Sequence, residues 1–77
     1  MKKIELDHNK SLDIIIQKLT DKGINTQQLA KILNISYQGS WKYFRKKNFP
    51  SLQHLFIISK VLDCKIDDLL VGEPSLN

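Results

Sequence analysis

Short stretches with apolar residues at helical spacing, separated by residues that end helices, make up most of this chain. In the first stretch, the apolar side chains of residues 12 to 19 follow the i, i+3, i+4, i+7 pattern of an amphipathic helix, with Ser11 as the predicted N-cap. Gly23 and Asn34 interrupt the pattern because both tolerate a left-handed backbone, and Pro50 interrupts it because the residue before proline avoids the helical region. No alternating strand pattern stands out, so we expect an all-α bundle.

Four more helices are predicted after this first one. The second is short and carries Asn25 and Gln28 at the spacing of a capping box. The third spans residues 36 to 47, Ser51 caps the fourth, and the fifth is a last turn or two within residues 66 to 71. The side chains predicted to face inward from the fourth helix are Leu52, Leu55, Phe56, Ile58, Ser59 and Leu62.

These helices define one domain at residues 10–72, preceded by a flexible arm at 1–9 and followed by a tail at 73–77. A chain of 77 residues buries only about three fifths of the surface that it exposes when unfolded. A catalytic pocket would use too much of so small a core, which favours a binding module over an enzyme. Cys64 is the one cysteine and has no partner ligands at metal-binding spacing. We therefore expect a reducing cytoplasm and no disulfide, metal, cofactor or small-molecule ligand.

Charge is distributed unevenly along the chain. The net charge is +4, yet residues 22 to 62 contain seven Lys and Arg residues and no Asp or Glu, while the residues from 63 onward are net negative. A long acid-free surface favours an anionic partner, and the alternative is chance in a lysine-rich chain. No apolar run approaches the roughly 18 residues of a membrane span, so we expect a soluble protein without a membrane partner.

Two short helices separated by a few residues, the second of them basic, are typical of a helix-turn-helix, whose second helix enters the major groove of DNA. Residues 23–36 (GINTQQLAKILNIS), 50–52 (PSL) and 61–70 (VLDCKIDDLL) resemble the Cro/C1-type (XRE) family of repressors. The resemblance extends without gaps from about residue 12 to residue 72. It implies a five-helix, lambda-repressor-like helix-turn-helix domain with residues 36 to 47 as the recognition helix.

The resemblance also assigns roles to single residues. The side chains that it places at the DNA bases are Tyr37, Gln38, Trp41 and Lys42. The side chains that it places at the phosphate backbone are Thr26, Gln27, Ser36, Arg45, Lys46 and Lys47. The 100° step of an α-helix independently puts Gln38, Lys42 and Arg45 on one side of this segment. The opposite side then carries Ser40, Tyr43 and Phe44, so both arguments select the same outward face.

Three departures from the family pattern affect these expectations. Thr26 stands where the family often has Gln, so a phosphate contact there would be shorter. Ser40 replaces a usual buried Ile or Val, which leaves that part of the core smaller or filled by aromatic neighbours. Phe44 and Leu19 stand where the family commonly has an ion pair, so we expect an apolar contact instead, since exchanging both members of a buried pair can be neutral.

Three residues of the recognition helix have two interpretations each. Gln38 can bond adenine, a pairing that discriminates by about 1 to 3 kcal/mol, or it can be a solvated side chain. Trp41 either packs into the space beside Ser40 or contacts a thymine methyl group or a sugar. Gly39 costs about 1 kcal/mol relative to Ala in mid-helix, which a close approach of the backbone to DNA would offset, and the alternative is sequence drift.

Ile57 and Val61 are predicted to lie opposite the inward stripe of the fourth helix, where surplus apolar residues indicate a dimer interface. The expected function is sequence-specific binding of a homodimer to an inverted-repeat operator in double-stranded DNA, as a transcriptional repressor. The alternative is a protein-interaction module or inhibitor of another regulator built on the same scaffold. The residues that would suit such a protein interface are Tyr37, Trp41, Tyr43 and Phe44.

Overall fold

The computed structural model describes residues 3 to 75. Four α-helices form most of this part: α1 (His8–Asp21), α2 (Thr26–Leu33), α3 (Tyr37–Phe44) and α4 (Leu52–Val61). A 3-10 turn follows at Ile66–Leu69, and two strands, β1 (Lys3–Leu6) and β2 (Gly72–Ser75), lie at the two ends of the described chain. None of the helices described is long and apolar enough to cross a lipid bilayer.

The hydrophobic core lies between α1, α2, α4 and the 3-10 turn. Ile15, Leu29 and Ile58 come from three different helices and are exposed by 2%, 1% and 0%. Leu69 of the 3-10 turn is fully buried in the same cluster. The other buried apolar residues are Leu12, Leu19, Ala30, Leu33 and Leu55. Since α3 buries only Ser40 among its eight described residues, this helix lies at the surface of the bundle.

Local capping chemistry sets the helix ends as the sequence predicts. Asn25 Oδ1 accepts a hydrogen bond from the backbone N–H of Gln28 at 2.8 Å, and Gln28 Oε1 accepts one from the N–H of Asn25 at 2.9 Å. The predicted capping box of α2 is therefore confirmed. Asn34 ends α2 with φ of 54°, and Ser51 Oγ accepts the N–H of His54 at 3.2 Å to cap α4.

α1 begins earlier than predicted, at His8, with Asp7 as its N-cap. Asp7 Oδ1 accepts the N–H of Lys10 at 2.9 Å. Ser11, the predicted cap, lies within the first turn of the helix and is fully buried. Its Oγ accepts a hydrogen bond from the N–H of Val71 at 2.8 Å, which fastens the chain before β2 to α1. Asp and Ser cap helices equally well, so the local pattern did not distinguish the two positions.

The two ends of the chain, predicted to be an arm and a tail, pair with each other. β1 and β2 form an antiparallel sheet in which Leu6 lies opposite Gly72. Of the predicted flexible arm, residues 3 to 6 form β1 and residues 8 and 9 begin α1, and of the predicted tail, residues 73 to 75 belong to β2. The other residues of the predicted arm and tail, 1, 2, 76 and 77, lie outside the described part. Each strand needs a partner at the far end of the chain, which no local pattern reports.

The predicted fifth helix is only a 3-10 turn, so the count of five helices is not confirmed. Asp68 Oδ2 accepts the N–H of Lys65 at 3.1 Å and closes this turn. Leu70 then has extended backbone, with φ of −114° and ψ of 141°. The extended conformation leads directly into β2, whose pairing with β1 competes with a longer helix. The described domain is mostly helical, which is consistent with the predicted all-α class, and it carries one small two-stranded sheet.

α4 turns a different side to the core from the one predicted. Leu52 and Phe56, which the pattern predicts to face inward, are 74% and 52% exposed. Ile57, predicted to face outward, packs against the buried cluster. The residues that do face inward as predicted are Leu55, Ile58, Ser59 and Leu62. Apolar residues surround more than half of this helix, so contacts with α2 and the 3-10 turn decide its rotation.

Candidate nucleic-acid interface

A tight turn holds α2 and α3 against each other. Asn34 adopts the left-handed conformation, and the N–H of Ile35 bonds to the carbonyl oxygen of Ala30 at 3.0 Å. Ser36 then starts α3, because its Oγ accepts the N–H of Gly39 at 3.1 Å. The turn and the cap are both local, so the direction in which α3 leaves α2 is largely set by residues 34 to 36.

A buried hydrogen bond fixes the crossing of the two helices further along. Ser40 is 0% exposed, and its hydroxyl donates to the carbonyl oxygen of Thr26 at 2.8 Å. This bond joins the middle of α3 to the first residue of α2. The small side chain therefore leaves no empty polar pocket where the family usually has Ile or Val.

The inner face of α3 is the predicted one. Tyr43 and Phe44 pack against the buried cluster, which contains Leu19. An apolar contact therefore occupies the place where the family commonly has an ion pair. On the opposite face Gln38 and Arg45 are exposed. The outward face of α3 is thus polar and cationic, and the inward face anchors it.

Trp41 lies on the outer side of α3. It is half-buried, but it is not among the described residues that pack against the core cluster. The guanidinium carbon of Arg45 lies 5.4 Å from the centre of its ring, a cation–π contact that shields part of the indole. Tyr37, one turn earlier, is 59% exposed. Trp41 therefore lies outside the packing around the core cluster, and part of its indole remains at the surface.

α3 ends three residues before the predicted boundary, at Phe44. Lys46 has φ of 58°, and its N–H bonds to the carbonyl oxygen of Tyr43 at 3.1 Å. The N–H of Lys47 bonds to the carbonyl oxygen of Lys42 at 2.8 Å. These two bonds form a Schellman motif with lysine at the position that glycine usually occupies. The chain reverses here and cannot continue as a helix.

Comparison with known proteins agrees with this geometry. The family model of the Cro/C1-type HTH DNA-binding domain matches residues 15–75. The chain belongs to the Cro/C1-type family. No curated protein and no solved structure gives a significant match. Since this is a family of DNA-binding domains, the α2–α3 pair of this Cro/C1-type domain is a helix-turn-helix.

The sequence-predicted phosphate contacts lie in two places on this Cro/C1-type domain. Thr26 and Gln27 form the start of α2, where Thr26 is half-buried and Gln27 exposed. The other group flanks α3: Ser36 caps its N-terminus, and Arg45 and Lys47, which follow its C-terminus, are exposed. All of these positions belong to the helix-turn-helix or the loop that follows it. Their contacts with DNA stay predictions.

Lys46 has a partner that the sequence did not indicate. Its ammonium forms an ion pair with the carboxylate of Asp13 on α1. The lysine side chain is 36% and the aspartate side chain 58% exposed, so water screens the pair. In the protein without DNA, Lys46 therefore belongs to a contact between α1 and the end of α3.

Tyr43 joins α3 of the Cro/C1-type domain to α4. Its hydroxyl lies 2.7 Å from Nδ1 of His54, and the two rings meet edge to face. Burial raises the pKa of Tyr43 above its ordinary value, and a hydrogen bond from the backbone of Ser51 partly opposes this shift. The sequence does not indicate this contact with His54, because two residues on different helices have no characteristic spacing.

The predicted dimer residues are less available than expected. Ile57 and Val61 are both half-buried, and Ile57 contributes to the packing around the core. Their role in a dimer stays a prediction. The most exposed large apolar side chains among residues 3 to 75 are instead Ile4, Leu52, Tyr37 and Phe56.

Proposed function

We propose that this chain binds double-stranded DNA at a specific sequence, with α3 in the major groove, and represses transcription by occupying an operator. The observation that carries the proposal is the outward face of α3. Gln38 and Arg45 are exposed on it, whereas Ser40 is locked to α2 from the opposite side. A helix held in this way can enter a groove without rearranging its own core.

The charge distribution supports the same function. Residues 22 to 62, which include all of α2, α3 and α4, contain no Asp or Glu. Carboxylates near a phosphate backbone would repel it, and none lies in this segment, so its lysines and arginine can attract it, apart from Lys46, which is paired with Asp13 of α1. We expect the chain to bind random duplex DNA at low salt. Its affinity should fall by several factors of ten between about 50 and 200 mM salt.

Gln38 supplies the test of sequence reading. A glutamine can exchange two hydrogen bonds with adenine in the major groove, so Gln38→Ala is expected to relax preference at one base pair by about 1 to 3 kcal/mol. Gln53→Ala is the matched control, since Gln53 is exposed on α4 rather than α3. Selection of bound duplexes from a random pool reads out both variants. An unchanged preference in Gln38→Ala would show that the register of α3 in the groove is wrong.

Lysine substitutions test the phosphate contacts. Lys47→Ala is expected to weaken binding to all sequences about equally and to reduce the slope of log affinity against log salt by about one unit. Lys60→Ala removes the same charge from the exposed side of α4, where the ammonium lies 5.2 Å from the ring centre of Phe56. An equal change of slope in both variants would mean that net charge, rather than a contact after α3, determines binding.

Gly39 separates stability from DNA contact. A methyl group added there would meet Ser36 Oγ at 3.4 Å and Ile35 Cδ1 at 3.5 Å, which are ordinary contacts, so the fold does not require glycine. Gly39→Ala is expected to stabilise α3 by about 0.5 to 1 kcal/mol and to weaken DNA binding, because the helix backbone would be held further from the groove. A variant that gains stability and keeps its affinity would assign Gly39 to sequence drift.

We further propose that the chain binds an inverted repeat as a homodimer, with two recognition helices roughly 34 Å apart. Sedimentation of the protein with a palindromic duplex and with a single half-site measures this directly. Two protein chains on the palindrome and one on the half-site are expected. One chain on both duplexes would rule out the symmetric arrangement.

A second candidate function is a protein-interaction module, favoured by the exposed aromatic rings at the start and middle of α3. Tyr37 is 59% exposed, and Trp41 lies outside the core packing. Salt discriminates the two functions. Binding to random duplex that disappears by moderate salt supports DNA, and absence of binding even at low ionic strength supports a protein partner.

A further inference from the structure

The outer edge of β1 carries backbone groups that point away from β2. The N–H of Asp7 bonds to the carbonyl oxygen of Val71 at 2.8 Å, and these two residues are opposite each other in the register of the sheet. Hydrogen-bonded and non-bonded pairs alternate along an antiparallel ladder. The backbone N–H and C=O of Ile4 and Leu6 therefore face outward. None of the backbone bonds outside the strands and helices of residues 3 to 75 involves them.

The same strand exposes two apolar side chains on one face. Ile4 is 82% and Leu6 39% exposed, and residues two apart in a strand point to the same side of a sheet. The other edge of the sheet, along β2, is less able to pair with a further strand, because Pro74 has no N–H to donate. β1 is thus the edge at which a further strand can add.

We propose that β1 pairs antiparallel with β1 of a second copy of this chain, forming a four-stranded sheet across a two-fold axis. A two-stranded sheet is marginal by itself, and four strands with a shared apolar face are more stable. An isologous contact of this kind also closes the assembly as a dimer, since each β1 edge is used once.

Charge selects the register of this pairing. Only residues whose backbone groups face outward can bond, so the possible registers have Ile4 opposite Ile4 of the second copy, Ile4 opposite its Leu6, or Leu6 opposite Leu6. In the first register residue 3, a lysine, is opposite residue 5, a glutamate, twice per interface. In the second register the two copies of Glu5 are opposite each other, and residue 3 is opposite Asp7, whose carboxylate already caps α1. In the third register Glu5 is opposite Asp7, twice. Both of the latter registers bring like charges together, which is unfavourable. We assign the register centred on Ile4.

This interface would serve the homodimer proposed above. The inference rests on the proposed dimerisation alone and not on the proposed DNA binding. Association is measured without DNA, so its failure leaves DNA binding by the single domain untouched. Conversely, a chain that dimerises through β1 but binds no DNA would contradict the proposed function and keep the present inference.

Charge reversal provides the test, by sedimentation equilibrium of the full chain in low salt. Lys3→Glu places two pairs of glutamates across the interface, and Glu5→Lys places two pairs of lysines. Each variant alone is expected to lose at least about tenfold in its association constant, because two cross-strand pairs change from attraction to repulsion. An equimolar mixture of the two variants restores both opposite-charge pairs and is expected to associate within about threefold of the unchanged chain.

Circular dichroism of each variant checks that the domain remains folded. An unchanged chain that stays monomeric at millimolar concentration would overturn the inference. So would variants that self-associate like the unchanged chain, the result expected if Ile57 and Val61 formed the dimer contact. Loss in Lys3→Glu together with normal association of Glu5→Lys would overturn the assigned register, because where the two copies of Glu5 are opposite each other this substitution only exchanges one like-charge pair for another.

Discussion

The hydroxyl of Ser40 donates a hydrogen bond of 2.8 Å to the carbonyl oxygen of Thr26, across the interface between α3 and α2. Ser40 is fully buried, so no water competes for this bond. It links a helix whose outer face is proposed to read bases to the end of a helix proposed to contact phosphates. The orientation of one relative to the other therefore depends on this bond as well as on the turn at residues 34 to 36.

Ser40→Ala is expected to lower the free energy of unfolding by about 1 kcal/mol and to weaken DNA binding. Ser59→Ala is the matched control, because the Ser59 hydroxyl is also buried but donates at 2.7 Å to Phe56, within α4. Denaturant unfolding and fluorescence anisotropy with labelled duplex measure the two effects. If both variants lose equal affinity, the bond of Ser40 acts only through overall stability.

Ser11→Ala is expected to destabilise the domain by about 1 to 3 kcal/mol. The substitution leaves the N–H of Val71 buried against α1 without the acceptor that it has at 2.8 Å. Hydrogen exchange at the Val71 amide, together with thermal unfolding, tests this. Protection equal to that of the unchanged chain would mean that another acceptor replaces the hydroxyl.

Lys46→Gly and Lys46→Ala are expected to differ in stability by about 1 kcal/mol, with glycine the more stable. Both remove the ion pair with Asp13, so their difference isolates the cost of a side chain at φ of 58°. Urea unfolding of the two variants gives this difference. Equal stabilities would contradict the left-handed conformation at this position.

Leu55→Ala and Leu52→Ala are expected to separate the two sides of α4. Leu55 is 5% and Leu52 74% exposed, so the first substitution should cost about 2 to 5 kcal/mol and the second less than about 1 kcal/mol. Both remove the same atoms from one helix, which makes each the control for the other. Similar costs would indicate that α4 instead turns toward the core the side that the sequence pattern predicts.

Tyr43 is expected to make the domain less stable in alkali. Because burial raises the pKa of its phenol, the folded chain keeps this proton at a pH where the unfolded chain has begun to lose it. The free energy of unfolding should therefore fall as the pH rises above about 10, and Tyr43→Phe should reduce that fall. Unfolding by urea at several pH values between 8 and about 11 measures the slope. A slope unchanged in the variant would exclude Tyr43 as its source.

Helix ends were predictable where their chemistry is local. The capping box of Asn25 and Gln28, the left-handed Asn34 and the cap at Ser51 each involve residues within three positions of one another. The inner face of α3 was also predictable, because two steps of 100° put Ser40 and Gln38 on opposite sides of a helix whatever the rest of the chain does. The candidate DNA-binding face follows from that step and from the resemblance of residues 23–36 to the family.

Several differences from the predictions depend on partners distant in the sequence. Asp7 and Ser11 are equally good caps, and only the position of Val71 shows that Ser11 is buried. The segment from Lys3 to Leu6 alternates polar and apolar residues, a weak strand signal that four residues cannot carry without β2 beside them. The contact of Lys46 with Asp13 likewise needs the packing of α3 against α1.

The amino-acid sequence by itself determined the helices, the turn between α2 and α3 and the family, because periodicity, capping and turn chemistry act over a few residues. Only the tertiary structure decided the rotation of α4, the pairing of the chain ends and the partner of Lys46. Those features depend on which surfaces meet in the folded chain, since an apolar or charged side chain has no preferred partner until packing brings one within reach.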